Sequence, residues 1–399
     1  MQTKEFDFLI IGAGIIGLFL AKNIKDRYKD AKVAIIEKES DVAKHSSGRN
    51  SGVLHAGFYY TKDSLKAKFT SQGNRYLKEF VKSRRLKINE CQKIVVAKDE
   101  KELDTLFELQ KRGETNNSNL RVIDEKELSK IEPNAKTYKY ALLSPNTATI
   151  DPVEISLKLK EELINEKIEF YFNNGYKQNL QNNTILTSQG LKIKAKKIIN
   201  VAGLYADKIA KDFGFSKDYV IIPFKGIYLK ANRSYKPIVT NIYPVPDLKN
   251  PFLGVHFTAT VDNDIKIGPT AIPAFWRENY SGLDNFKLNE FLEILYYESK
   301  LFFTNSFNFR GLAFEEIKKY KKSYFLKLGS KLVKDLDMSR FDKWSRPGIR
   351  AQLLNRKTLE LLQDFVVEGD KKSIHILNAV SPAFTSSYPF TKWVVDKFI

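Results

Sequence analysis

Six residues near the start of the chain, Gly12-Ala13-Gly14-Ile15-Ile16-Gly17, combine glycine type and spacing in a way that suits phosphate binding. The first glycine permits a tight turn and the second lets the backbone approach a pyrophosphate. The third lets a helix pack closely on a strand, with the helix N-terminus facing the phosphates. Glu37, twenty residues beyond Gly17, stands where an acidic side chain accepts hydrogen bonds from an adenosine ribose, and Lys38 beside it joins the expected contacts. Proton chemistry near neutral pH points to histidine, of which there are four. His45 and His375 lie beside an exposed loop and in a strand pattern, and both are expected to be structural. His55 lies within Gly52-Val53-Leu54-His55-Ala56-Gly57 and His256 within Gly254-Val255-His256-Phe257-Thr258.

The glycine fingerprint alone does not separate FAD from NAD. The stretch after the acidic residue does: Ser46-Ser47-Gly48-Arg49-Asn50-Ser51-Gly52-Val53-Leu54-His55-Ala56-Gly57 is small, polar and broken by glycine. An NAD dehydrogenase would continue its sheet there, whereas a long flavin cofactor needs its pyrophosphate and ring to thread past such a backbone. Asn200-Val201-Ala202-Gly203-Leu204-Tyr205-Ala206-Asp207 ends a later strand in the manner of a second FAD-contacting turn, with Ala202 and Gly203 as the contacts. No second Gly-x-Gly-x-x-Gly serves a nicotinamide, so the electrons must come from the substrate.

The elements that position these residues follow from periodicity. FDFLII (6–11) is a short apolar run ending at a glycine turn, the mark of a buried parallel strand. Ile15 to Tyr28 reads as a helix and AKVAIIEKE (31–39) as the next strand, giving β-α-β. Helical spacing recurs over 64–84 and 99–112, and again after Asp151-Pro152, a cap followed by proline at the first turn. KINECQKIVVA (87–97), IEFYFNN and LKIKAKKIINVAG read as strands, as does much of 219–276. The pattern is helical from Leu288 to about Leu336. FVVE, SIHILNA and a helix from Thr385 to Phe398 close the chain. The expected fold is α/β, a glutathione-reductase-type Rossmann domain for FAD interleaved with a β-rich α+β substrate domain. The first takes 1–85, 141–215 and 341–399, and the second takes 86–140 and 216–340, with a basic helical segment at 288–336.

Composition bounds the partners. The 66 Lys+Arg against 47 Asp+Glu give a formal charge of +19, which favours an anionic substrate, an anionic cofactor or a lipid surface. No nucleic-acid motif accompanies the charge. A single cysteine, Cys91, excludes an internal disulfide and a multi-cysteine metal site, and it is expected in the core without a redox role. No signal peptide and no long apolar span are visible, so the expected location is cytoplasmic, peripheral at the inner face of a membrane. Lys318, Lys319, Lys321, Lys322, Lys327, Lys331 and Lys334, with apolar residues from Tyr320 to Val333 between them, are the expected site of that contact.

Longer stretches carry a resemblance: HSSGRNSGVLHAGFYY (45–60), SLKAK (64–68), NVAGLYAD (200–207), NIYPVPDLKNPFLGVHFT (241–258), GIRAQLL (348–354) and LNAVSPAFTSS (377–387). In these the chain resembles the D-amino-acid oxidase and glycine oxidase superfamily of flavoenzymes and, within it, the L-2-hydroxyglutarate dehydrogenases, over nearly its whole length. The resemblance implies non-covalent FAD, oxidation of an (S)-2-hydroxy dicarboxylate, and a quinone or oxygen as electron acceptor. Such a reaction needs a base for the hydroxyl proton and a cation for the carboxylate. His256 is expected as the base and His55 as a contact of the flavin ring. Arginine binds both oxygens of a carboxylate at once. Arg350 occupies the place of the carboxylate arginine in similar proteins, with Arg277 and Lys225 as further candidates and Tyr60 beside the substrate. Gly348 and the run Ser381, Pro382, Ala383, Phe384 and Thr385 are expected at the cofactor, the latter as a helix N-terminus facing a reduced flavin's negative charge.

The chain departs from the family pattern at Gln92, Lys225, Ile227, Thr270, Trp276 and Phe384, near the expected substrate-facing segments. Two other readings stand beside this one. The same machinery would serve another alcohol or an amine, and a flavin-binding protein with a basic partner surface would need no chemistry.

Overall fold

A computed structural model describes residues 3–248 and 254–399 of the chain. The chain forms two compact units, one of residues 1–50, 152–223 and 349–399 and the other of 51–151 and 224–348. The two units alternate along the chain. Residues 51–85 and 141–151 belong to the second unit because Val53–Leu54, Ile88–Asn89 and Ala148–Ile150 pair into one small sheet there. Residues 216–223 belong to the first unit and 341–348 to the second.

In the first unit the strand Lys4–Ile11 lies between two parallel neighbours, Val33–Ile36 and Lys192–Asn200. Both faces of such a central strand are covered, which explains a continuous apolar run in place of alternation. The helix Ile15–Arg27 connects the first two strands right after the glycine turn, as expected. Ser373–Ile376 extends the sheet in parallel beyond Lys192–Asn200, and Glu169–Tyr171 does so beyond Val33–Ile36. The closing helix, Ala383–Phe398, starts two residues before the expected Thr385. It packs on Ile15–Arg27 through a bond from Asn23 Nδ2 to Thr391 Oγ1 of 2.9 Å.

The second unit is built on a sheet in the order 341–344, 229–231, 265–268, 256–259, 241–244, 93–96, 140–144 and 121–124. One face of this sheet is apolar: Ile94, Val96, Leu143, Ile242, Phe257, Ile265 and Ile267 form a core with Phe325, Leu326, Leu332 and Val333. This corrects the expectation for 318–334, since most of its apolar side chains serve as core. Lys319 is itself buried and bonded to Glu316, while Lys318 pairs with Glu315 at 2.6 Å. The helical region 288–336 is three helices, Leu288–Thr304, Phe309–Lys318 and Lys322–Gly329. The chain turns between the first two with positive φ at Asn305, Phe307 and Asn308.

Candidate active site

In the first unit, parallel pairing from Phe8↔Val33 to Ile11↔Ile36 brings the turn after Ile11 and the carboxylate of Glu37 to one sheet edge. Glu37 Oε2 accepts from the Ala13 N–H at 2.8 Å and Oε1 from the Glu39 N–H at 3.0 Å. The three glycines have separable reasons. Gly12 has φ +114°, and a Cβ on it would lie 2.9 Å from the Val201 carbonyl oxygen. A Cβ on Gly17 would fall 2.0 Å from the Gly12 carbonyl oxygen, so the contact of helix and strand requires glycine there. A Cβ on Gly14 would meet only the Ser47 hydroxyl, at 3.1 Å. The chain's own packing does not demand glycine at position 14. The bareness of that turn fits the close approach of a pyrophosphate, and the residues present therefore suit FAD.

The other expected cofactor residues divide between the two units. Ile15 and Ile16 are buried. Ser47 Oγ accepts from the Ile15 N–H at 2.9 Å, and Ser46 Oγ donates to the Ile349 carbonyl at 2.9 Å. Gly48 closes this 3₁₀ turn, Arg49 Nε donates to the Lys44 carbonyl at 2.8 Å, and Asn50 Nδ2 to that of Ser47 at 2.8 Å. Lys38 lies over the Tyr205 ring at 5.8 Å from its centroid. Ala202 N–H donates to Asn200 Oδ1 at 3.1 Å, and Gly203 has φ +54°. Pro382 precedes the helix that begins at Ala383; Thr385 is buried, Phe384 partly so, and Ser381 exposed. Ser51, Gly52, Val53 and Gly348 lie in the second unit. His375 is structural, as expected. It is fully buried against Phe213 and Phe215 and bonds Asn200 at 3.1 Å, and burial holds its ring at about 4.

In the second unit the loop 55–60 has no ladder to satisfy its carbonyls, and side chains from one helix and from the turn after another do so instead. Asn74 Nδ2 reaches the carbonyls of Leu54 and His55 at 3.1 Å each. Asn116 Nδ2 reaches those of Gly57 and Tyr60 at 3.0 and 2.9 Å, and Ser118 Oγ that of Ala56 at 2.8 Å. The loop is thus a fixed platform under His55. Burial, then the charge of Lys93 and then His256, hold the His55 ring well below the usual imidazole range.

His256 begins a strand whose Phe257 points into the apolar core, which sends His256 and Thr258 to the opposite face. Its Nδ1 is 2.8 Å from the Gly254 carbonyl oxygen. A carbonyl only accepts, so Nδ1 carries a proton, which in the neutral ring leaves the lone pair of a general base on Nε2. The Tyr243 ring stacks on the imidazole at 3.7 Å and 16°. Lys93 lies on the same face, fully buried, with Nζ 4.2 Å from the Tyr243 ring centroid. Burial lowers its ammonium to about 7. Sequence reasoning missed Lys93 and Tyr243. The available signal was a lysine at the head of an otherwise apolar strand, KIVV, with all four side chains buried.

The structure brings together His55 and His256 but distributes the carboxylate candidates. Arg277 is fully buried with Nη2 3.2 Å from Glu293 Oε2, and its N–H donates to Glu290. These contacts tie it to the helix Leu288–Thr304. Lys225 is buried with Nζ 3.3 Å from Asn279 Oδ1, and burial lowers its ammonium. Tyr60 is half-buried at the end of the His55 loop with Lys66 over its ring, and Arg350 is half-buried on the strand Gly348–Asn355. Cys91 is in the core as expected, with Sγ 3.1 Å from Asn241 Nδ2. Residues 249–253 of the stretch 241–258 lie outside the described residues.

The family model described as FAD dependent oxidoreductase (DAO) matches residues 7–396. L-2-hydroxyglutarate dehydrogenase of Escherichia coli (strain K12) is 34% identical over 396 residues, covering 98% of this chain and 93% of that protein. The mitochondrial L-2-hydroxyglutarate dehydrogenase of Homo sapiens is 33% identical over 419 residues, with 99% and 89% covered. Among solved structures, dithionite-reduced L-alpha-glycerophosphate oxidase from Mycoplasma pneumoniae with FAD bound superposes with a TM-score of 0.75 at 21% identity, covering 98% of this chain and 94% of that one. Glycine oxidase from Geobacillus kaustophilus gives 0.71 at 16% identity, with 99% and 95% covered.

Proposed function

The chain belongs to the family of FAD-dependent oxidoreductases, and from that membership we propose that it oxidises the C2 hydroxyl of L-2-hydroxyglutarate, giving 2-oxoglutarate. The substrate follows from the relatives, which carry that name at about one-third identity along their length. The observation that carries the chemistry is the buried pair of imidazoles, His55 and His256, with the Nδ1 of His256 engaged by a carbonyl.

When bound, FAD would supply the two-electron acceptor for the C2 hydrogen, chemistry that no side chain of this chain provides. Gly14 and the first turn of Ile15–Arg27 would hold its pyrophosphate and Glu37 its ribose. His256 takes the hydroxyl proton on Nε2 as the C2–O bond becomes a carbonyl. His55 would contribute a neutral ring to the flavin's surroundings, and Arg350 would be the partner of the C1 carboxylate. The test is anaerobic bleaching of the flavin colour across 2-hydroxy and 2-amino acids. L-2-Hydroxyglutarate should bleach fastest; a protein bleached only by amino acids would replace this reading with amine oxidation.

For the electron acceptor we propose a quinone, or else oxygen, with the protein peripheral on an anionic bilayer at the inner face of the membrane. The supporting observation is an apolar stripe facing solvent at 288–320. Leu288, Leu292, Tyr296 and Phe303 follow helical spacing, Phe314 and Ile317 continue them, and Phe303 is 81% exposed. Exposed Lys318, Lys321 and Lys322 follow in the chain. Among the described residues no helix is long and apolar enough to cross a membrane.

A further inference from the structure

We propose that Lys93 anchors the distal carboxylate of the substrate and is the residue that makes a dicarboxylate the preferred 2-hydroxy acid. This rests on the function proposed above. The strand Lys93–Val96 is parallel to Asn241–Pro244 and antiparallel to Tyr140–Ser144. Ile94 and Val96 enter the apolar core with Ile242 and Phe257, so Lys93 stands on the other face with Tyr243 and His256. Its Nζ lies 4.2, 5.2 and 5.5 Å from the ring centroids of Tyr243, Tyr59 and Phe58.

Aromatic faces attract a cation but do not satisfy the three N–H donors of an ammonium. Lys93 Nζ is fully buried and has no hydrogen-bond acceptor, and the buried hydroxyl of Tyr59 has no partner either. An ammonium held this way destabilises the protein, and an unbranched apolar side chain would fill the same volume without that cost. The missing partner is an anion. It has to sit beside Tyr243, whose ring also packs on the imidazole of His256. The second carboxylate of a 2-hydroxy dicarboxylate has this chemistry. The other cations considered for the role are engaged, Arg277 by Glu293 and Lys225 by Asn279. The titratable groups facing Lys93 are Cys91 just before its strand, His55 and Tyr59 on the adjacent loop, Tyr243 on the next strand, and His256 beyond it. Pairing with a carboxylate replaces the lost hydration of the ammonium, so binding the dicarboxylate draws a proton onto Lys93 at mildly alkaline pH.

The experiment uses the FAD-loaded enzyme and two ligands of five carbons, 2-oxoglutarate and 2-oxopentanoate, which differ only at the far end. Affinity is read from the perturbation of the flavin spectrum, and proton uptake from calorimetry in buffers of different ionisation enthalpy at pH 8. Wild type should prefer 2-oxoglutarate and take up a proton with it but not with 2-oxopentanoate. Lys93→Met should lose that proton uptake and reduce the preference about tenfold to a hundredfold, the loss expected for a charged hydrogen bond. A preference that survives the substitution, or equal weakening of both ligands, overturns the anchor. Should Lys93→Met fail to retain FAD, the wild-type comparison decides: equal proton uptake with both ligands overturns it. If no 2-hydroxy acid bleaches the wild-type flavin, the function reading fails and takes the anchor with it. If L-2-hydroxyglutarate bleaches the flavin but the variant still discriminates, only the anchor fails.

Discussion

Gly14 and Gly17 belong to one motif, yet their substitution by alanine should fail in different ways. At position 17 the new methyl would sit 2.0 Å from the Gly12 carbonyl oxygen and 3.2 Å from Val201 Cγ2. Tolerated contacts begin near 3.0 Å, so helix and strand must part by about 1 Å in a packed region, at about 1–3 kcal/mol. At position 14 the methyl meets only the Ser47 hydroxyl at 3.1 Å, a side chain that turns aside easily. Gly14→Ala should therefore leave the melting temperature of the apoprotein close to wild type, within the ~0.5 kcal/mol typical of harmless substitutions. Its methyl instead occupies the approach of the pyrophosphate and removes hydrogen bonds to a charged group, each worth about 1.5–3 kcal/mol. FAD affinity should fall about tenfold to a hundredfold for each bond lost. Gly17→Ala should lower both apoprotein melting temperature and affinity. The assays are thermal melting of apoprotein and fluorescence titration with FAD. A Gly14→Ala protein that binds FAD as wild type does, or one as destabilised as Gly17→Ala, would refute the division of labour.

His256→Ala should lower kcat by about 10²–10⁴ with FAD retained, and should remove the fall in activity on the acid side of the pH profile. If His55→Ala does this and His256→Ala does not, the roles are reversed. Arg350→Met should raise KM for the hydroxy acid about tenfold to a hundredfold with kcat less affected; unchanged kinetics would make Arg350 structural. His375 stays neutral in the fold down to about 4 against an ordinary value of 6.5, so unfolding takes up a proton between those values and stability falls as pH drops through that window. The loss is on the order of 3 kcal/mol, and His375→Phe should flatten the pH dependence of urea unfolding there; an unaltered slope would refute the assignment. Serine at Phe303 and Phe314 should weaken co-sedimentation with anionic vesicles more than glutamine at Lys318 and Lys321, with dye-linked turnover intact. Equal retention on neutral and anionic vesicles, or none on either, would sink the membrane proposal.

Much of the cofactor half was legible because its signals are local. Gly12, Gly14, Gly17 and Glu37 belong to one β-α-β unit, and spacing along the chain fixes their positions once strand and helix form. The small, glycine-broken loop around His55 and the strand position of His256 could be read for the same reason. The sequence could not say that Asn74, Asn116 and Ser118 hold the loop, because each lies outside it, from 19 to 62 residues further along the chain. Arg277 looked available for a substrate until the structure supplied Glu293 from a separate helix. The apolar residues of 318–334 looked like part of a membrane face until Phe325, Leu326, Leu332 and Val333 proved to pack under a sheet. Lys93 is 150 residues from Tyr243 along the chain, and alternation along each strand assigns a face but not a neighbour. Strand order and register, which depend on pairing across the whole second unit, decide that a buried ammonium, a phenol and a base meet on one face.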